Sequence, residues 1–541
     1  MRKKWWKDWK KRDDARFHSI LALIFLPILC ADAFLLPILM LALHSLPLLS
    51  PKWQEYEISG KSMFPSMSGS LPQETCPRCD FLGTVNDEKR VVCMNCRWIF
   101  TRKDAENWSK PDVVGVDRWY YQSDEEWPHQ LKFGAEVLVA PDMERHGVAV
   151  KRVWGMPGET VEIRGGKVFV NEARPVRNLK HLTDMAILVH DNWYRPRHSV
   201  DGERISRWKS TDGGWEVWPG GMCWNFHLDE NDENSDGEIL ALSTAEKPAI
   251  LEYHHAEGRM TPGDDDSPAK MAFQETFISN QRSENGVRMR SAEIHAVDEL
   301  MLYFQLKYVA VSGYFMVCLP AASDTWETFY FAESPEAFRE ETPGERKHFY
   351  VIPPWGKRDP RFLISTLDGV PRVWTDIGAN FHGNYTRFFR FLEMNKKREF
   401  SYSQLYSGSE PLEEIQISAD FERNTPPPAE IFPESLRKEG GNLRNAPKIA
   451  YVGKIFLNLS NITIFRDEYF DGNLTHSPYF TENSLENPST EGYYLLGDNS
   501  FYSVDSRMWG RIPEEKIIGV VRMKYSYRRL EDRHLQKTKK N

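Results

Sequence analysis

A serine hydroxyl attacks a peptide carbonyl only when a base takes its proton. The run Ile58-Ser59-Gly60-Lys61-Ser62-Met63-Phe64-Pro65-Ser66-Met67 offers Ser62 as such a nucleophile, about a dozen residues after the chain's long apolar segment. A candidate base is Lys151, in Val148-Ala149-Val150-Lys151-Arg152-Val153-Trp154-Gly155-Met156-Pro157-Gly158-Glu159. A free lysine has a pKa near 10.4 and is charged at neutral pH. Burial disfavours the charge and lowers that value, by up to roughly 3–5 units when complete. If Val148–Val153 is a strand, Ala149, Lys151 and Val153 share one face, which sets the amine among apolar neighbours. Arg152 then points the other way, toward solvent. One residue of register therefore decides which cation is the base. The backbone N–H of Ser62 is the expected oxyanion donor, with Gly60 allowing close approach. A third run, Gly497-Asp498-Asn499-Ser500-Phe501-Tyr502-Ser503-Val504-Asp505-Ser506-Arg507, would by itself pass for a charged turn.

A second constellation is sulfur. Cys76-Pro77-Arg78-Cys79 and Cys93-Met94-Asn95-Cys96 are separated by thirteen residues. Paired CxxC knuckles point to a tetrahedral zinc ribbon with four cysteine ligands, although this spacer is slightly short. So small a unit lacks a core of its own and needs a staple. Four thiolates fill a zinc shell, so the metal would be structural. Two disulfides are the alternative if the segment lies in an oxidising compartment. Cys30, Cys223 and Cys318 belong to no motif. Asp232-x-Asn234-x-Asp236-Gly237-x-Ile239 copies the first half of a calcium loop, but position twelve is Ser243 and not the bidentate glutamate. A solvated acidic loop is the better reading there.

The elements that must hold these groups are mostly strands. Short segments punctuated by Gly and Pro, Ala135–Ala140, Gly147–Val153, Thr160–Ile163 and Lys167–Val170, read as an antiparallel meander, with Tyr493–Leu496 and Lys516–Val521 joining it late in the chain. The unit carrying Lys151 is thus split by about 275 residues. That insertion has alternating aromatic-rich stretches, among them Gly214–Trp218, Leu300–Tyr308, Gly313–Leu319 and Trp326–Phe331, closed by Tyr451–Leu457 and Asn461–Phe465. A β-sandwich is expected for it, and its closing stretch is similar to the last strands of concanavalin-like sandwiches. The fold class is mainly β. Its expected parts are a basic N-terminus (1–18), an apolar helix (19–46), a serine segment (52–70), a cysteine unit (72–110), a first catalytic part (111–172), the insertion (173–450), and closing strands with a polar tail (451–541).

With 541 residues the chain exceeds one domain, and a net charge of −9 excludes a nucleic-acid-binding role. The first sixteen residues hold eight Lys/Arg against three Asp, and an apolar run from Ile20 to Leu49 follows, long enough for one membrane crossing and too long for a cleaved signal. Basic residues before the span keep the N-terminus in the cytoplasm, which puts the bulk of the chain outside. Trp5, Trp6 and Trp9 suit the headgroup zone, whereas Asp32 at mid-bilayer costs roughly 2.5–3.5 kcal/mol and calls for a partner, water or a proton.

In this order, the Ser62, Lys151 and Gly497-Asp498-Asn499 runs resemble the boxes of type I signal peptidases, membrane-bound proteases with a Ser-Lys dyad. The zinc ribbon and long insertion look like planctomycete-type members. The resemblance selects Lys151 over Arg152 and implies that Ser503 contacts the lysine nitrogen. It implies that Asp505 and Arg507 clamp the loop opened by Asp498 and Asn499, and that Gly60, Met63 and Pro65 support the nucleophile. No cofactor is expected for catalysis. Ser66 keeps the hydroxyl of a common threonine, and Ser500 stands where arginine is common. Family members cleave exported preproteins after a small-x-small motif, at the outer face of the cell membrane and beside the export translocon. The segment Met63-Phe64-Pro65 could touch lipid or fill a core. Two rivals are a processing protease specialised by its insertion and a surface protein binding carbohydrate through the sandwich.

Overall fold

The computed structural model describes residues 53–85, 89–103, 107–118, 131–141, 147–194, 207–210, 215–217, 239–261, 270–282, 294–321, 325–332, 347–351, 361–375, 446–470 and 491–525. The expected membrane segment with Asp32, the basic N-terminus, Cys30, Cys223 and the acidic run 229–238 lie outside them. Among the described residues no helix is long and apolar enough to cross a membrane.

The chain is mainly β. The unit that carries Lys151 is a six-stranded antiparallel sheet in the order Trp53–Glu57, Val113–Asp117, Ile517–Tyr525, Glu136–Val139, Ala149–Gly155, Tyr494–Leu496. The first two expected meander strands and the two late segments join this sheet, whereas Val161–Arg164 and Lys167–Val170 pair only with each other as a separate hairpin. Strand alternation sends Val137, Val139 and Val153 into one apolar layer with Leu495, Ile517 and Val520. Leu138 and Val150 go to the opposite layer with Val114, Val116, Met63 and Met67. Both faces are covered, so a polar side chain on either side must find a partner.

Strand Tyr494–Leu496 pairs only with Arg152, Val153 and Gly155. The edge beyond Arg152 is thereby left for the serine segment to approach Lys151.

Among the described residues the insertion is built on one ten-stranded sheet, with a separate hairpin of Ala256–Thr261 and Lys270–Glu275. Its spine is a pair of long antiparallel strands, Leu300–Ala321 and Lys448–Arg466, each of which was expected as two shorter ones. The rings of Phe304 and Phe315 lie 6.3 Å apart on the first of these, where a straight strand would separate them by roughly 35 Å. The sheet therefore folds over on itself, and bulges near Gln305 and Tyr308 accompany the bend. The inner face collects Leu300, Leu302, Phe304, Val317, Phe331 and Phe362 into one core. This is a sandwich in packing but a single sheet in hydrogen bonding, a distinction that alternation of residues cannot reveal. Ser243, the failed calcium ligand, lies in strand Ile239–Tyr253.

Entry and exit of the insertion are adjacent, because strand Ile187–Asp191 pairs with Thr463–Arg466. Buried ion pairs fasten this junction to the unit that carries Lys151: Arg177 reaches Asp467 (Nη2–Oδ2 2.5 Å) and Asp368 (Nη2–Oδ1 2.6 Å), and Lys167 reaches Glu299 at 3.2 Å.

The cysteine unit consists of two small hairpins, 73–75 with 82–84 and 90–92 with 99–101. In each, the first cysteine N–H donates across the knuckle, Cys76 to Phe81 O and Cys93 to Trp98 O, both at 2.9 Å.

Candidate active site and cysteine centre

The serine segment is a loop closed at its base by the Gly69 N–H donating to Gly60 O at 2.7 Å. Gly69 is required there, since a Cβ on it would lie 2.4 Å from Ser59 O. Asp112 fixes the same base, accepting from Ser68 N at 2.7 Å while its own carbonyl accepts from Ile58 N at 2.9 Å. Met63 and Phe64 are buried, so the segment takes the core role. Met63 packs under the sheet, and Phe64 packs against the cysteine unit beside Cys76, Phe81 and Tyr194. Pro65 follows a cis peptide bond.

Lys151 Nζ lies 2.9 Å from Ser62 Oγ. The lysine is 2% exposed, shares its face of the strand with Ala149 and Val153 as expected, and has the Trp509 ring 5.8 Å from its nitrogen. Burial brings its pKa down to about 8, with Asp505 and Asp498 opposing and Arg507 assisting the drop. A neutral amine at hydrogen-bond distance can accept the hydroxyl proton as Oγ attacks, then return it to a departing amine.

Arg152 does not point to solvent. It is buried on the opposite face, donating to Asp498 (Nε–Oδ1 2.8 Å, Nη2–Oδ2 2.5 Å), to Glu136 at 2.7 Å and to Gly134 O at 3.1 Å. Burial alone would raise the Glu136 carboxyl, but Lys524 and Arg152 outweigh it and hold the group at about 2. The solvated reading failed because Glu136, opposite Arg152 on the neighbouring strand, and Asp498, from 346 residues away, cover that face.

The third motif wraps the nucleophile. The Asn499 N–H donates to Ser62 O at 2.9 Å, and Ser66 Oγ donates to Asp498. Gly497 lies so close that a Cβ on it would stand 2.2 Å from Ser503 Oγ and 2.5 Å from Ser62 O. Asp505 accepts from Gly497 N at 3.1 Å and from Arg507 Nε and Nη2, both at 2.9 Å. These contacts form the clamp that the resemblance implies. Arg507 also donates to Ser500 Oγ and Ser500 O, both at 2.7 Å, which accounts for the serine where arginine is common. Ser503 is fully buried beside Gly497, and against the effect of burial its hydroxyl helps Arg507 to hold the Asp505 carboxyl low. The expected hydrogen bond from Ser503 to Lys151 is not formed in this structure. At Gly60 a Cβ would meet nothing within 4 Å, so no atom of the described residues crowds that position.

The four cysteines converge. All are buried and unbridged, and their sulfurs lie within 4.8 Å of one another, with Cys76–Cys96 at 3.6 Å and Cys79–Cys93 at 3.7 Å. Disulfides would need about 2.05 Å. Tetrahedral coordination with Zn–S near 2.3 Å puts sulfurs about 3.8 Å apart, so the cluster could hold a metal of that kind. Arg207 of the insertion donates to Cys96 O at 2.8 Å, and Asn95 exchanges hydrogen bonds with the Asp191 backbone.

Asp112, Glu136, Trp509, Glu468 and Arg282 shape the site without having been singled out in the sequence. Asp112 had one available cue, an acid immediately before the strand Val113–Asp117.

The sheet thus holds a Ser-Lys pair at hydrogen-bond distance, an arrangement in which the lysine could serve as base to the serine hydroxyl. The family model described as signal peptidase, peptidase S26, matches residues 92–236 and 467–526, and over these stretches the chain is similar to that family. The match includes Lys151 and the loop 497–507, whereas Ser62 precedes it and is placed by geometry. No curated protein and no solved structure matches the chain.

Proposed function

We propose that the chain is a membrane-anchored signal peptidase I that removes signal peptides from exported preproteins after a small-x-small motif. The observation that carries this reading is the 2.9 Å approach of Lys151 Nζ to Ser62 Oγ, with the lysine buried and its pKa brought to about 8. Ser62 Oγ attacks the scissile carbonyl while Lys151 takes its proton. The Ser62 N–H stabilises the oxyanion, and the lysine then protonates the leaving amine. Water hydrolyses the acyl-enzyme by the same route in reverse.

The apolar run Ile20–Leu49, preceded by basic residues, supports an anchor with the catalytic unit on the outer side of the cell membrane. Tethering the site at the bilayer gives it a high effective concentration toward emerging signal peptides and places it near the translocon. The four thiols would take a structural zinc, which as bound would cross-link the two knuckles and supply no step of the reaction. The domain boundaries read from the sequence belong to the same proposal.

The test is cleavage of a generic preprotein by the full chain in vesicles. Wild type processes it, whereas Ser62→Ala and Lys151→Ala leave it intact. Processing by either variant at the wild-type rate sinks the reading. Metal analysis with thiol counting tests the zinc: one zinc per chain and no disulfide is expected.

A further inference from the structure

Arg282 belongs to the insertion, yet its side chain is buried at the catalytic loops and 3% exposed. Its segment is pinned in place. The Asn280 N–H donates to His295 O at 3.0 Å, and Arg466 Nη2 donates to Asn280 O and Gln281 O, both at 3.2 Å. From there Arg282 Nη2 donates to Phe64 O at 3.2 Å, its guanidinium carbon sits 5.3 Å from the Phe64 ring centre, and Nη1 donates to Glu468 at 2.8 Å and Asp498 O at 3.4 Å. Glu468 in turn accepts from Ser500 N at 3.0 Å.

These contacts close a ring around the nucleophile. Ser62 O is held by Asn499 N, Ser500 N by Glu468, Glu468 by Arg282, and Arg282 returns to Phe64 O. The serine segment is thus gripped on both sides of Met63, once by the third motif and once by the insertion. A planar guanidinium suits this place, because its fork serves a carboxylate and two carbonyls at once. An ammonium could keep the charge for Glu468 but could not span the same acceptors.

We infer that Arg282 is a positioning residue for Ser62, by which the insertion sets the attack geometry of the catalytic unit. This rests on the Ser62–Lys151 reading and adds the insertion to its machinery. Arg282 is not among the groups that set the Lys151 pKa, so its loss should change how well Oγ is aimed and not when the base is free. Misplacement of a reacting group by about 1 Å can cost on the order of 100-fold.

The experiment is steady-state cleavage of a small-x-small peptide by the full chain, with Arg282→Ala, Arg282→Lys and thermal unfolding of each. Expected for Arg282→Ala is a fall in kcat of roughly 10- to 100-fold, with KM within about twofold and the acidic limb of the pH profile unmoved. Arg282→Lys should fall between, with an unfolding midpoint near wild type. It decides the matter if the alanine variant does not fold. Wild-type kcat in Arg282→Lys, or a lowered midpoint with kcat intact in Arg282→Ala, overturns the inference while leaving the dyad standing. An inactive wild type overturns both.

Discussion

Arg152 and Asp498 stand 346 residues apart in sequence and form a buried two-pronged ion pair, Nε–Oδ1 2.8 Å and Nη2–Oδ2 2.5 Å, one residue from the base. Adjacent cations on one strand thus meet opposite fates. Lys151 is buried at the nucleophile with a depressed pKa, and Arg152 is buried against carboxylates that keep it charged. The pair also aims the Asp498 loop, because Asp498 holds Ser66 as well. Removing one partner strands the other without water. Arg152→Met should therefore destabilise the catalytic unit by about 3–5 kcal/mol. Urea unfolding measures this, and a loss under about 1 kcal/mol would contradict the account.

Lys151 is held in a place that suits catalysis and opposes folding. Its folded pKa is about 8 against an ordinary value of 10.5, so the unfolded chain binds the proton more tightly. Below pH 8 the full penalty applies, on the order of 3 kcal/mol. It fades as pH rises from 8 toward 10.5. Lys151→Met should abolish cleavage yet stabilise the protein at pH 7, by an amount that shrinks at pH 10. Equal stabilisation at both pH values would refute this.

Cleavage needs the neutral amine, so kcat/KM should climb as pH passes about 8, and roughly a tenth of the enzyme is competent at pH 7. Asp505 is the foremost charge holding the lysine pKa up. Asp505→Asn should move the acidic limb to lower pH while reducing the plateau, since the Arg507 clamp loosens. A limb shifted upward would show that the sign is wrong.

Two glycines of the serine loop should behave oppositely. Gly69→Ala drives a Cβ to within 2.4 Å of Ser59 O and should disorder the loop, whereas Gly60→Ser enters open space. The new hydroxyl can donate to the oxyanion, for a gain in kcat of up to roughly tenfold. A loss in Gly60→Ser comparable to that in Gly69→Ala would mean the space is needed for substrate.

What the sequence reveals about this site follows its length scale. The face that carries Lys151 is legible because strand alternation and apolar neighbours are local. The partners of Arg152 are not, because Asp498 comes from 346 residues away and Glu136 meets it only through the register of the neighbouring strand. The aromatic stretches of the insertion mark strands correctly, but whether Leu300–Ala321 is one bent strand or two depends on pairing with Lys448–Arg466. The cysteine cluster is legible in full, since CxxC spacing is itself the geometry of a knuckle. Arg282 leaves no trace in sequence.

The strand Ile517–Tyr525 lies inside the catalytic sheet, between Val113–Asp117 and Glu136–Val139. During biosynthesis Ser62 and Lys151 leave the ribosome long before it does. At about 5–20 residues per second, roughly 20–90 s separate the nucleophile from the strand that completes its sheet. The nascent chain therefore carries Ser62 and Lys151 before the sheet that positions them is complete. On the proposed Ser62–Lys151 mechanism, competence waits for Ile517–Tyr525, which is translated after the whole insertion.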